Sequence, residues 1–131
     1  MDQNRLFYTA VPILIGGSPC AAGRLAAKIY TGHGITVHWF GQGWHPLLSV
    51  YAKRHPVSIS FSEANDRVWI QLLRGFEKQQ RHTGGIPCLI PVSENARLFL
   101  ERTRDLLEEH FVILDPVEQG EDPLYGLVHS H

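Results

Sequence analysis

Gly16-Gly17-Ser18 is the first place in this chain where residue type and spacing suit chemistry. An apolar run, Val11 to Ile15, leads into the two glycines, and Ser18-Pro19 opens an alanine-rich segment. Backbone N–H groups at a strand-to-helix turn can meet an anion, because the helix dipole concentrates positive charge there. The spacing departs from the known phosphate loops. Gly16-Gly17 followed by Gly23 does not make G-x-G-x-x-G, and no G-K-[ST] follows. A dinucleotide site also wants an acid after the second strand, and His38-Trp39-Phe40-Gly41-Gln42 holds none. Three readings stand: a tight turn that lets strand and helix pack closely, an anion or substrate contact, or, against this spacing, a classical dinucleotide site.

Gly41 to Pro56, GQGWHPLLSVYAKRHP, is the most unusual stretch. Two glycines loosen it, and Trp44, His45, Tyr51, Lys53, Arg54 and His55 give it aromatic and polar reach. It reads equally as a binding lip or as an ordinary packed connection. Glu63, Asn65 and Asp66 form a third polar group; helix capping explains them, and so does contact with a ligand at the same edge. Cys20 falls in the first helical turn after Ser18, where the dipole favours a thiolate, but no histidine is spaced to serve it as a base. Core packing suits Cys20 better, and Cys88, inside an apolar run, reads as core. The eight histidines lack metal-ligand spacing. His33 and His38 straddle a helix–strand boundary, and His129 with His131 could hold only a stray ion. No metal site and no catalytic residue is expected.

These groups need elements to position them. Val11–Ile15 reads as a strand buried on both faces. Ser18 caps the helix that follows, with Pro19 in its first turn. Ala22, Leu25, Ala26, Ile29 and Tyr30 make its apolar face, and Gly32 and Gly34 stop it. Ile35–Phe40 is a second strand, and the alternation of Val57, Ile59 and Phe61 predicts a third over Val57–Phe61. A helix starts near Ser62–Asp66, with Val68, Leu72, Leu73 and Phe76 facing inward and Trp69 beside them. Ile86–Pro91 is a fourth strand with prolines at both ends. Ser93 to Ala96 starts a helix facing inward through Ala96, Phe99, Leu100, Thr103, Leu106 and Leu107, and Phe111–Leu114 is a fifth strand. His45–Lys53 fits either a short helix or an irregular connection. Strands alternating with helices predict an α/β, three-layer, doubly wound and mostly parallel sheet. The expected domain is residues 1–116, with 117–131 an irregular tail or the start of a linker.

Composition narrows the function. The chain has 131 residues, 44% hydrophobic and 19% charged, enough for one domain with a real core. Twelve basic and thirteen acidic residues leave a net charge of −1, so no nucleic-acid partner is expected. No apolar run nears the ~20 residues of a membrane span, and the start MDQNRLFYTA lacks a signal-peptide core, so no membrane partner is expected. Two cysteines far apart fit a reducing cytoplasm.

The ordered series PILIGG, YTGHGI, SEANDRVWIQLL, IPCLIPVSENARLFL and LLEEHFVILDP resembles the N-terminal, pre-ATP-grasp domain of ATP-grasp carboxylate–amine ligases, of the D-aspartate-ligase-like and carbamoyl-phosphate-synthase-like kind. The resemblance spans about Val11 to Pro116. It implies a Rossmann-like domain that walls the substrate side of a cleft, while ATP and Mg²⁺ are held by a separate ATP-grasp domain, in cis or in trans. By position it carries substrate contact onto Gly16, Gly17 and Ser18, and onto Glu63, Asn65 and Asp66. Ser18 departs from the family, whose members often carry an acid there. The sequence holds no lysine-bearing nucleotide clamp and no carboxylate cluster for magnesium, so the chain alone is expected to ligate nothing and to hold no cofactor. The alternatives are a free-standing Rossmann-like nucleotide- or metabolite-binding or oxidoreductase module, or an assembly domain, including a homodimer.

Overall fold

The computed structural model describes residues 10–114, the side chain at position 82 excepted. The tail expected at 117–131 and the pair His129 and His131 lie outside the described residues. Five parallel strands form one sheet in the order β3-β2-β1-β4-β5: β1 (Ala10–Ile15), β2 (Val37–Gly41), β3 (Ala52–Pro56), β4 (Ile86–Pro91) and β5 (Val112–Ile113). Four helices connect them: α1 (Pro19–His33), α2 (Pro46–Tyr51), α3 (Asp66–Gln80) and α4 (Glu94–Leu107). This is the expected three-layer, Rossmann-like α/β fold, with an all-parallel sheet among the described residues.

Period-two alternation of the strands divides the core in two. Leu14, Val37, Trp39 and Ile90 pack on Ala22, Ala26 and Ile29 of α1 and Leu48 of α2. From the opposite face Ile13, Ile15, Phe40 and Leu89 meet Trp69, Leu73 and Phe76 of α3 and Ala96, Phe99 and Leu100 of α4. Strands covered on both sides read as nearly continuous apolar runs, which is why β1 and β4 are visible in the sequence.

The prolines in these strands fall where a missing N–H costs little. Residues of a parallel strand address alternate neighbours, and Gly16 N donates to Phe40 O of β2. Pro12, four residues earlier, faces the same side, level with Val37, where β2 only begins and ahead of the first paired position Ile13↔His38. Val92 N donates to Ile15 O, which turns Pro87 and Pro91 toward β5 instead. There they bracket the two residue pairs, Cys88↔Val112 and Leu89↔Ile113, that make up the whole β4–β5 ladder.

The third strand is a correction. Val57–Phe61 is not in the sheet; the edge strand is Ala52–Pro56, AKRHP, paired to β2 from Val37↔Ala52 to Gly41↔Pro56. An edge strand is covered on fewer sides, so it needs no apolar alternation, and its pattern of half-buried and exposed residues carries none. Val57 leaves the strand by donating its N–H to Gly41 O, and Ile59 and Phe61 then pack over the end of the sheet. The ambiguous His45–Lys53 resolves into α2 followed directly by β3. Three helix-face assignments also change: Tyr30, Val68 and Leu106 are exposed, and Trp69 is buried in place of Val68. Gly34, left-handed at φ 70, ends α1 alone, with Gly32 inside the helix.

Candidate functional site

In an open parallel sheet, ligands bind beyond the carboxyl ends of the strands where strand order reverses. Here that point lies between β1 and β4, the neighbours reached from opposite directions along the chain. A crevice of about 340 Å³ opens to solvent there. Its floor is Gly16, Gly17 and Ser18 after β1, Gly41 and Gln42 after β2, and Ser93 and Asn95 after β4. Its wall is Ile59, Ser60 and Phe61 with Trp69. The volume falls at the lower end of small-molecule sites. A second hollow beside β5, about 50 Å³ and bounded by Arg97, Leu100 and Arg104, has room for one or two waters.

The turn after β1 demands glycine twice. Gly16 and Gly17 have φ of 73 and 78, left-handed values that cost other residues about 1–2 kcal/mol. Space is as restrictive: a Cβ on Gly16 would come within 2.7 Å of the Phe61 ring, and one on Gly17 within 2.4 Å of Val92. Trp39 fixes the turn from below, its Nε1 donating to Gly16 O at 2.9 Å.

Two helices begin at this crevice. Ser18 caps α1, its Oγ accepting from Ala21 N at 3.1 Å, and Pro19 occupies the first helical position. Ser93 caps α4 likewise, accepting from Ala96 N at 3.2 Å. Capping satisfies one donor per helix. The other first-turn N–H groups, Cys20 on α1 and Glu94 and Asn95 on α4, have no intrahelical acceptor. Both positive dipole ends therefore meet at the switch point.

The wall comes from the segment expected to be a strand. Phe61 stacks on Trp69 with ring centroids 4.1 Å apart and planes 14° from parallel, and it also touches Phe99. Asn65 Nδ2 donates to Ser60 O at 2.9 Å, closing the loop that carries Phe61. Trp69 is 1% exposed, and its Nε1 is buried without an acceptor among the described residues. An unsatisfied buried donor costs about 1–3 kcal/mol.

Of the eight candidates, Gly16, Gly17 and Ser18 line the crevice together. Asn65 acts on its wall from behind. Trp44 is exposed and does not line it, although Gly43 brings that loop against Pro19. His45 caps α2, its Nδ1 accepting from Leu47 N at 3.1 Å. Glu63 is exposed on a short 3-10 turn over Glu63–Asn65. Asp66 is held by Arg102 of α4 through two hydrogen bonds of 2.9 and 3.0 Å. Ser93, Asn95 and Trp69 were missed as site residues. Ser93 had a signal, since a serine opening a helix after a second strand repeats the Ser18 pattern; Trp69 read only as part of a helix face.

The lining is formally neutral. Among the described residues it offers hydroxyls, amides and backbone donors but no carboxylate, lysine or arginine. It therefore does not fit magnesium, which asks for carboxylate oxygens, and offers no side-chain cation to a triphosphate. No nucleophile–base pair among the described residues borders it either. Among the described residues, no three His, Cys, Asp or Glu side chains gather as a metal-holding group, and no helix is long and apolar enough to cross a membrane.

Among the described residues, two buried titratable groups are strongly shifted, both away from the crevice. His38, in β2, packs edge-on to Phe76 with its Nδ1 3.0 Å from Nε2 of His55. Burial, then His55, then Lys53 push its pKa down to about 4. Cys88 is fully buried, and burial pushes its thiol up to about 12. Comparison with protein-family models, curated proteins and solved structures finds no match.

Proposed function

We propose that this chain is a ligand-binding domain that holds a small anionic metabolite in the β1–β4 crevice and performs no covalent step by itself. The observation that carries the reading is the convergence of two capped helix N-termini, α1 and α4, on one crevice at the switch point. Together they supply backbone donors and partial positive charge. Among the described residues the lining holds serine hydroxyls but no carboxylate, histidine, lysine or cysteine to activate them, which supports binding over catalysis.

The specific form of this proposal is the substrate-side domain of an ATP-grasp carboxylate–amine ligase. The ordered motifs from PILIGG to LLEEHFVILDP support it, and so does a crevice left open to solvent, as a wall shared with a second domain would be. ATP and magnesium would then be held by an ATP-grasp partner. Calorimetric titration tests both levels. Inorganic phosphate or a small carboxylate should bind this chain, with the amides of Gly17, Ser18 and Asn95 shifting in NMR spectra. MgATP should not bind tightly. Micromolar MgATP binding by this chain would sink the ligase form, and unmoved amides with every anion would sink the reading itself.

A further inference from the structure

We propose that the His38–His55 pair is an acid-sensitive latch on the edge strand β3, whose release takes Ile59 and Ser60, part of the crevice wall, away from the sheet. The latch stands on packing; its effect on a bound anion rests on the anion-binding reading of the crevice.

Among the described residues β3 pairs with β2 alone, and its side chains are half-buried or exposed, so apolar burial adds little to hold it. His55 is what pins it. Its ring stacks on Phe40, centroids 4.4 Å apart and planes 8° from parallel, and meets Phe76 at right-angled contact. Its Nε2 lies 3.0 Å from Nδ1 of His38. Two imidazole nitrogens in contact accommodate one hydrogen: the N–H of one ring donates to the lone pair of the other. The contact survives while the pair is neutral or singly charged. With both rings protonated, two N–H donors face each other and it is lost.

The surroundings oppose charge on the pair. In register, His38 lies between Ile13 of β1 and Lys53 of β3, and Phe76 of α3 packs against it. Burial disfavours a proton on either ring, and Lys53 repels one on both. Glu77, beside Phe76 on α3, is already neutralised by Arg81 through hydrogen bonds of 2.7 and 3.0 Å, with His110 3.9 Å away. Release of β3 separates the rings and gives them to water, so protons favour the released strand. The strand leads straight into the crevice. Val57 N donates to Gly41 O at its end, and Ile59 and Ser60 follow as wall. Phe61, stacked on Trp69, anchors the far side, so the released segment runs from α2 to that stack. An anion that needs the complete crevice opposes release by mass action.

Amide hydrogen exchange of the full ¹⁵N-labelled chain, at about pH 7 and about pH 5 and over a series of low urea concentrations, tests the latch. The His55 and Val57 amides should exchange faster than those of β1 and β4, through an opening nearly insensitive to urea because it exposes little surface. Their protection should fall by up to about twentyfold between the two pH values, since His38 titrates at about 4 in the closed strand and at 6.5 once released. His38→Gln should remove most of that fall. Inorganic sulfate, whose charge is constant over this interval, should slow the same amides about tenfold when present at about ten times its Kd. Exchange at His55 and Val57 with the protection and urea dependence of β1, or protection there that ignores pH, would overturn the latch. Sulfate that shifts the Gly17 and Asn95 amides without slowing His55 and Val57 would overturn the link between latch and crevice. Sulfate that moves no amide would remove the anion-binding reading and leave the latch to the pH and urea data. Those data come from the unsubstituted chain, so they decide the matter even if the variant folds poorly.

Discussion

Acid should unfold this protein partly through one histidine. His38 is 9% exposed and faces Phe76, with His55 at hydrogen-bond distance and Lys53 beside it in register on β3. Its pKa falls from 6.5 to about 4 on folding. Because the folded value lies below the unfolded one, the unfolded chain takes up the proton first as pH drops. The stability associated with neutral His38 is whole above the unfolded pKa, declines below it, and is fully lost once pH passes the folded value. At 1.36 kcal/mol per pKa unit the full loss is about 3 kcal/mol, and nearly half is gone by about pH 5.5. With total stability of about 5–15 kcal/mol for a domain of this kind, that fraction is large.

Urea melts of the unsubstituted chain and of His38→Gln, from about pH 7.5 down to about pH 4, isolate the effect from carboxylate titration, which both proteins share. The unsubstituted chain should lose about 3 kcal/mol more than the variant over this range. In NMR titration the His38 ring should stay neutral through the pH interval in which an exposed histidine protonates. Parallel stability curves for the two proteins, or a His38 ring that titrates near 6.5, would refute the argument. His55 is lowered in the same direction by burial and by Lys53, so a residual slope in the variant is expected from it.

Gly17→Ala should destabilise by about 2–4 kcal/mol in thermal or urea melts, combining left-handed strain with overlap on Val92. Gly84→Ala is its control: φ is 76 but nothing lies near the added Cβ, so only the conformational cost of about 1–2 kcal/mol should appear. Ser18→Ala and Ser93→Ala should each cost about 1 kcal/mol through the lost cap, read from the same melts. A thiol reagent should modify half-exposed Cys20 in the folded chain and reach buried Cys88, its thiol pushed up to about 12, only in denaturant. Asp66→Asn should loosen α3 from α4, visible as faster amide exchange in the first turn of α3, since it removes a bidentate pair with Arg102.

Much of the scaffold is legible in the residues themselves. A β-branched run closed by glycines, a serine before each of two periodic segments and apolar spacing of three and four residues specify β1, α1, β4 and α4, because those elements bury whole faces and leave a period in the chain. Gly16, Gly17 and Ser18 were legible as site residues for the same local reason: a turn chemistry that only such residues satisfy. What tertiary structure decided is the remainder of the site. An edge strand of AKRHP carries no period, since pairing on one side and partial exposure ask for none, whereas Val57, Ile59 and Phe61 alternate without pairing because they cover the end of the sheet. Ser93 and Asn95 reach the glycine turn only through the β1–β4 pairing, some 75 residues away along the chain, a non-local contact that local pattern does not encode. Trp69 looks like an ordinary core residue in the sequence; that it borders the crevice under the Phe61 stack, its buried N–H without an acceptor among the described residues, is decided by packing alone.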